Sequence, residues 1–110
     1  MARVKVEICV PDNHVAAILT ALESAGAGQI GRYDRVTSFW QTGGTWRPMP
    51  GAEPFDGEIG TLMQGTEMRV ESECEMSAVP QVLKAVRAAH PYEEPIIRFI
   101  PLYQPTDVEP

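Results

Sequence analysis

The chain has 110 residues, 44% of them apolar and 22% charged, with a formal net charge of −6. This length and composition predict one globular domain with its own core. The acidic balance argues against nucleic acids and anionic membranes as partners, because both attract surfaces rich in Lys and Arg. Two cysteines are too few for a disulfide scaffold, and no apolar run matches a membrane helix or a signal peptide. We therefore predict a cytoplasmic protein.

Apolar and polar residues alternate over residues 3–10, which predicts a half-buried strand. An apolar stripe at helical spacing follows, and we expect a helix that is capped by Asn13 and runs to about Ala25. Residues 32–40 are rich in β-branched and aromatic types and predict a second strand. Residues 43–65 are rich in glycine and proline and predict a long irregular connection.

The second half of the chain repeats this order of elements. Residues 67–76 predict a third strand with one acidic face, and Ser77 is the expected cap of a second helix with Pro80 in its first turn. Residues 96–102 predict a last strand, in which Pro101 indicates an edge strand or a strand end.

An internal repeat decides the fold class. A shift of 64 residues places Val6 on Val70 and Ile18 on Val82, so the strand–helix–strand unit occurs twice. The order βαββαβ predicts an α+β ferredoxin-like sandwich, with a four-stranded antiparallel sheet, two helices on one face and the long connection between strands 2 and 3. We expect one domain over residues 1–103 and a loose tail over 104–110.

This topology brings distant segments to one edge of the sheet: the start of the first helix, the end of the second and the glycine-rich connection. His14, His90 and Glu93 could therefore meet, and two imidazoles with a carboxylate suit zinc or another divalent transition metal. The alternatives are structural. His90 would then be a cation at a helix C-terminus, and His14 a plain surface residue.

Large aromatic and charged residues of the same edge form a second candidate set. It consists of Trp40, Trp46, Arg47, Phe55, Tyr92 and Glu94. The aromatic members could line a small-molecule cleft or be buried against a neighbouring subunit, because large aromatic residues are enriched at interfaces. Glu93 or Glu94 could bond the converging connection near Arg47. We predict no catalytic residue.

Charged residues line the face of the sheet that carries no helix. Glutamates of the third strand stand beside Arg3 and Lys5 of the first, which predicts cross-strand ion pairs or, in an oligomer, an acidic channel. The parity of the strands places Cys74 on the helix-covered face and Cys9 on the open face, so a disulfide between them is not expected.

Several motifs together resemble a known domain. They are Gly26-Ala27-Gly28-x-Ile30-Gly31-x-Tyr33, Gly44-Thr45-Trp46-Arg47-Pro48, Gly51-Ala52-x-Pro54-Phe55-x-Gly57, Glu67-x-Arg69-x-Glu71 and His90-Pro91-Tyr92-Glu93-Glu94-Pro95. The chain resembles the PII/CutA-like insert domain of the Nif-three-like (YqfO) dinuclear-metal-centre proteins. The resemblance implies a homotrimer. The metal site of those proteins lies in flanking parts, so the resemblance implies no metallohydrolase activity for these residues.

Two functional hypotheses follow. The first is an oligomeric binding or regulatory module that senses a metal ion or a small ligand. The alternative is an enzyme or accessory subunit of a metal-centre, metallohydrolase-like system.

Overall fold

The computed structural model describes residues 2–105, so most of the predicted tail lies outside the described residues. Six main elements follow one another along the chain. They are β1 (Arg3–Val10), α1 (Val15–Ser24), β2 (Ser38–Trp46), β3 (Met63–Glu75), α2 (Val79–Ala89) and β4 (Ile97–Pro101). The order of these elements is the predicted βαββαβ.

The four strands form one antiparallel sheet in the order β2-β3-β1-β4. The two helices pack against each other, and residues of both belong to one core with β1 and β3. The predicted fold class is therefore confirmed. Pro101 lies on β4 at the edge of the sheet, as expected for a residue without a backbone N–H.

The core joins equivalent positions of the two repeats. Val6 and Val70 are fully buried in neighbouring strands, and Ile18 and Val82 are fully buried on the two helices. The alternation along β1 explains this arrangement, since every second side chain of a strand points to the same face of the sheet.

The helix starts differ from the predicted caps. A short 3-10 turn precedes each helix, Asp12–His14 before α1 and Met76–Ala78 before α2. The cap residues are His14 and Ala78, neither with a capping side-chain hydrogen bond. The turns displace Asn13 and Ser77 from the cap positions, and the side-chain oxygen of Asn13 contacts Nδ1 of His14 instead, at 2.9 Å.

The second strand begins and ends later than predicted. Residues 32–37 belong to a turn region that begins at Ile30, and the backbones of Ile30 and Tyr33 exchange two hydrogen bonds of 2.9 and 3.0 Å. Gly43 and Gly44 instead belong to β2, because they pair with β3 across the hairpin. Pairing therefore overrides the low strand propensity of glycine. The irregular connection shortens to residues 47–62.

β2 and β3 extend beyond the rest of the sheet. β1 pairs with β3 only from Met68 to Glu75, whereas β2 pairs with β3 as far as Met63. Residues 42–46 and 63–67 therefore form a two-stranded projection, which we call the hairpin arm. The molecule is elongated, with principal dimensions of 54 × 26 × 24 Å. Neither helix of residues 2–105 is long and apolar enough to cross a membrane.

Candidate functional site

The predicted meeting of distant segments at one edge is seen as a series of ring contacts. The His14 ring stands edge-on to Phe55, with ring centres 5.9 Å apart. Phe55 lies 5.9 Å from Tyr92, and Tyr92 lies 4.8 Å from His90. The start of α1, the residues after α2 and the connection between β2 and β3 thus come together, and the two histidines lie at the two ends of this series.

A cavity of about 350 Å³ lies between the hairpin arm, residues 47–56 and residues 92–96. Six residues singled out from the sequence line it: Trp46, Arg47, Phe55, Tyr92, Glu93 and Glu94. Trp40 does not line it, although it lies on the same face of β2 as Trp46. Sequence analysis missed the contributions of Asp56 and Glu67 to the lining.

The connection is held in shape by hydrogen bonds and by one glycine. The backbone N–H of Gly60 donates to the carbonyl of Pro48 at 2.7 Å, and the Trp46 indole N–H donates to the carbonyl of Asp56 at 3.1 Å. Gly57 has φ of +110°, and a Cβ there would lie only 3.0 Å from Cγ of Met63. Only glycine combines this backbone conformation with such a close approach.

Glu93 anchors the connection to the other wall of the cavity. Its carboxylate accepts a hydrogen bond of 2.9 Å from the backbone N–H of Glu53. The sequence predicted a bond from Glu93 or Glu94 to the connection near Arg47, whereas the observed partner of Glu93 is the backbone of Glu53. On the same wall, the backbone carbonyl of Ile96 accepts from the N–H of Cys9 at 3.2 Å, which fixes the segment to β1.

His90 is buried and uses both ring nitrogens. Nε2 lies 2.6 Å from the carbonyl oxygen of Cys9, and Nδ1 lies 3.2 Å from the backbone nitrogen of Tyr92. A carbonyl only accepts and a backbone N–H only donates, so Nε2 carries the proton and the ring is neutral. Burial lowers the pKa of His90 below its ordinary value.

These contacts do not fit a resident metal ion. A metal ligand needs a free lone pair, and the unprotonated nitrogen of His90 already accepts a hydrogen bond. Glu93 is likewise engaged by the connection. Over residues 2–105, no three side chains of His, Cys, Asp or Glu are grouped closely enough to hold a metal. In this geometry His14, His90 and Glu93 share one edge but are not grouped as a set of three metal ligands.

Tyr92 and Glu67 close the inner side of the cavity. The Tyr92 hydroxyl donates to Oε2 of Glu67 at 3.2 Å. Burial raises the pKa of Tyr92 to about 12, and the negative charge of Glu67 adds to the rise. The neutral phenol is therefore the form that this site stabilises.

Replacement of Tyr92 by phenylalanine is expected to change stability in alkaline solution. The unfolded chain releases the tyrosine proton near pH 10, whereas the folded chain keeps it until about pH 12. The folded state binds more protons in this window, so the free energy of unfolding falls as the pH rises through it. Urea denaturation between about pH 9 and about pH 12 spans the tyrosine pKa values of the unfolded and folded chains. Over this range the free energy of unfolding of Tyr92→Phe should fall less steeply than that of the wild type. Parallel curves would contradict the assignment, and Tyr103→Phe, at a highly exposed tyrosine, is the control.

Ion pairs cover the open face of the sheet, as predicted. Arg3 bonds Glu73 at 2.8 Å, and the Lys5 ammonium lies between Glu7 at 2.9 Å and Glu71 at 2.5 Å. Because these side chains are partly exposed, each pair contributes little to stability by itself. The pairs neutralise most of the glutamates on this face.

The two cysteines are free and buried on opposite faces of the sheet. Cys74 belongs to the helix-covered core, and Cys9 lies on the open side of β1 beside Arg69. Burial raises the pKa of both thiols, so neither is prepared for nucleophilic attack.

No family model matches the chain. It is, however, 44% identical over 100 residues to the GTP cyclohydrolase 1 type 2 homolog of Mycobacterium leprae, and 35% identical over 100 residues to that of Bacillus subtilis. A solved structure of a Bacillus cereus protein related to NIF3 matches with a TM-score of 0.82 at 35% identity. The chain is a homologue of one segment of the NIF3-related proteins.

The resemblance predicted from the motifs is thereby confirmed. The alignments with the NIF3-related proteins of M. leprae and B. subtilis cover 89% and 91% of this chain. The B. cereus superposition covers 94% of it. The chain spans only about a quarter of those proteins, 26% in M. leprae, 27% in B. subtilis and 26% in B. cereus. This segment is the PII/CutA-like insert of the NIF3-related proteins.

More distant structures share the fold of this NIF3-related segment. The periplasmic divalent cation tolerance protein CutA of Archaeoglobus fulgidus matches with a TM-score of 0.68 at 16% identity, over 93% of this chain and 85% of that one. GlnK of B. subtilis matches with a TM-score of 0.53 at 14% identity, over 91% and 86%. At such identities the likeness shows the PII/CutA-like fold alone.

Proposed function

We propose that the chain is a homotrimeric PII/CutA-like binding module, and that the cavity between the hairpin arm and residues 92–96 is its ligand site. The observation that carries this proposal is the cavity itself. Its volume of about 350 Å³ lies in the range of small-molecule sites, and its lining combines apolar walls with a few polar groups. It also lies at the edge where three separate segments of the chain meet, which lets a ligand influence all three.

The open face of the sheet supports association of three copies. Within residues 2–105 no helix covers this face, and two large apolar side chains stand on it, Trp40 on β2 and Ile100 on β4. They are 43% and 40% exposed, although a buried position would suit them better. Trp46 lies on the same face of β2 as Trp40, so an interface over Trp40 would adjoin the cavity. The resemblance of the motifs to a PII/CutA-like insert implies the trimeric state, and the likeness to CutA and GlnK adds the shared fold alone.

The oligomeric state can be tested with Trp40→Glu. Sedimentation velocity should give the wild type a mass three times the 12.1 kDa of one chain. Trp40→Glu should shift the protein towards the single-chain mass, because a carboxylate at the centre of an apolar contact is costly to bury. Tyr33→Glu, at an exposed aromatic residue before β2, is the matched control and should keep the wild-type mass. A wild type that sediments as a single chain would overturn the trimer.

A second candidate function rests on the homology itself. The chain matches one quarter of a longer protein, so it could act as an accessory subunit that docks on a metal-centre partner. The test is co-expression with the M. leprae relative from which the matching segment has been deleted. A stable complex on gel filtration supports the accessory role, and separate elution of the two proteins contradicts it.

A further inference from the structure

We infer that the cavity binds a small organic ammonium ion with an apolar body. This inference rests on the proposed function, since it names the ligand class of that same cavity. It combines three features of the lining: aromatic rings, an excess of carboxylates, and the lack of a metal-ligand set among the described residues.

Three aromatic residues contribute to the lining, and two are fixed before any ligand arrives. The Trp46 ring is held by its hydrogen bond to the carbonyl of Asp56, and the Tyr92 ring by its hydrogen bond to Glu67. Phe55 packs against Tyr92, yet remains 54% exposed. Aromatic faces attract cations, and organic cations with methyl or methylene groups also gain from contact with the ring surface. A cavity with pre-oriented rings loses little entropy when such a ligand binds.

The charged groups of the lining favour a cation. Four acidic residues, Asp56, Glu67, Glu93 and Glu94, belong to the lining, against one basic residue, Arg47. A phosphate or carboxylate ligand would meet repulsion from most of these groups. An organic ammonium ion can place its charge near them and its apolar body against Trp46, Phe55 and the neighbouring apolar wall.

A bare metal ion does not satisfy the same site. Such an ion needs several protein ligands at short distance, and the described residues offer no group of three. Glu67 and Glu93 are each engaged in a hydrogen bond of their own. The cation that the acidic residues favour is therefore an organic one, which carries apolar surface as well as charge.

The experiment uses the two indole N–H signals of the protein in a nitrogen–proton correlation spectrum. The chain has two tryptophans, Trp46 in the cavity lining and Trp40 outside it, so the second signal is an internal control. The Trp46→Phe spectrum assigns the signals. Three probes share one skeleton and differ in charge: phenethylamine, phenethyl alcohol and phenylacetate.

Phenethylamine should shift the Trp46 signal saturably and leave the Trp40 signal in place. Its affinity should exceed that of phenethyl alcohol by about tenfold, the scale of a partly desolvated cation–aromatic contact. Phenylacetate should bind more weakly than the alcohol.

The double variant Glu93→Gln, Glu94→Gln should reduce the preference for the amine, because glutamine keeps the shape and an acceptor oxygen but removes the charge. The control is Glu23→Gln, which removes a carboxylate of α1 that pairs with Arg35. This variant should leave the preference for the amine unchanged.

The outcomes test the ligand class separately from the proposal that the cavity is a ligand site. Equal affinities for the amine and the alcohol, or an unchanged preference in the double variant, would overturn the ammonium inference while leaving the cavity as a ligand site. If no probe shifts the Trp46 signal, the inference is wrong, and the sedimentation mass still decides the trimer independently.

Discussion

His90→Ala is expected to lower the free energy of unfolding by roughly 2–4 kcal/mol, through an unfilled space and a lost pair of buried hydrogen bonds. His90 is only 8% exposed, and its ring joins the carbonyl of Cys9 on β1 to the backbone of Tyr92. The alanine variant leaves both backbone groups without their side-chain partner. Urea denaturation at about pH 8 measures this effect. This pH lies roughly 1.5 pH units above the ordinary histidine pKa, so the imidazole is neutral in both the folded and the unfolded state.

His14→Ala is the matched control for this measurement. His14 is half-buried and contacts Phe55 through its ring edge. Loss of that contact should cost less than about 1 kcal/mol, as at most surface positions. Equal losses in the two histidine variants would contradict the structural role assigned to His90.

The same residue should make stability depend on pH. Because the pKa of His90 is lowered in the folded protein, the unfolded chain takes up the proton first as the pH falls below about 6.5. The unfolded state then binds more protons, so the free energy of unfolding falls as the solution is acidified in this range. His90→Gln lacks this titration. Its free energy of unfolding, measured by urea denaturation, should therefore differ less between neutral and mildly acidic solution than that of the wild type.

Ile18→Ala is expected to have an effect of similar size, roughly 3–4 kcal/mol, which is typical of a buried isoleucine truncated to alanine. Ile18 is fully buried on α1 and belongs to the same core as its repeat equivalent, Val82 on α2. Thermal and urea unfolding of Ile18→Ala measure the loss. Thr20→Ala, at an exposed position of the same helix, should change stability by less than about 0.5 kcal/mol.

The pair of helix variants also tests the repeat on which the fold prediction depends. If Ile18→Ala were as mild as Thr20→Ala, the stripe of α1 would not face the core. The Val82→Ala variant should also be destabilised, but by a smaller amount than Ile18→Ala, because valine loses one carbon atom fewer than isoleucine on truncation to alanine.

The topology could be predicted from the sequence because it depends on patterns repeated twice. Val6 with Val70, and Ile18 with Val82, occupy equivalent positions, and right-handed crossovers leave few ways to arrange two such units. The ends of elements were harder to predict. Gly43 and Gly44 have poor strand propensity, and only the pairing of β2 with β3 brings them into the sheet.

The site could be predicted only in part. The convergence of His14, Phe55 and the residues after α2 follows from topology, and the structure brings them together. The cavity does not follow from local pattern, because its shape depends on Gly57 beside Trp46 and on other contacts between distant residues. Glu67 lies on the open face of the sheet, as predicted, but its contact with Tyr92 does not follow from the sequence pattern. One signal sets it apart from the other glutamates: it lies beyond the end of β1, where its strand partner is Thr42 of β2.

The metal interpretation of the histidines shows a further limit of sequence patterns. The sequence places His14 and His90 near one another, but it does not reveal that the Cys9 carbonyl and the Tyr92 N–H occupy the two ring nitrogens of His90. Hydrogen bonds to backbone groups leave no mark in residue types. The same contacts make His90 a structural link between β1 and the cavity wall.

Native mass spectrometry with phenethylamine tests the central claim most directly, because one spectrum counts both chains per particle and ligands per chain. An oligomeric module with a cavity in each chain predicts three copies of the 12.1 kDa chain and up to one amine bound to each copy. Particles of one chain that carry no amine at any concentration tested would contradict both the assembly and the site.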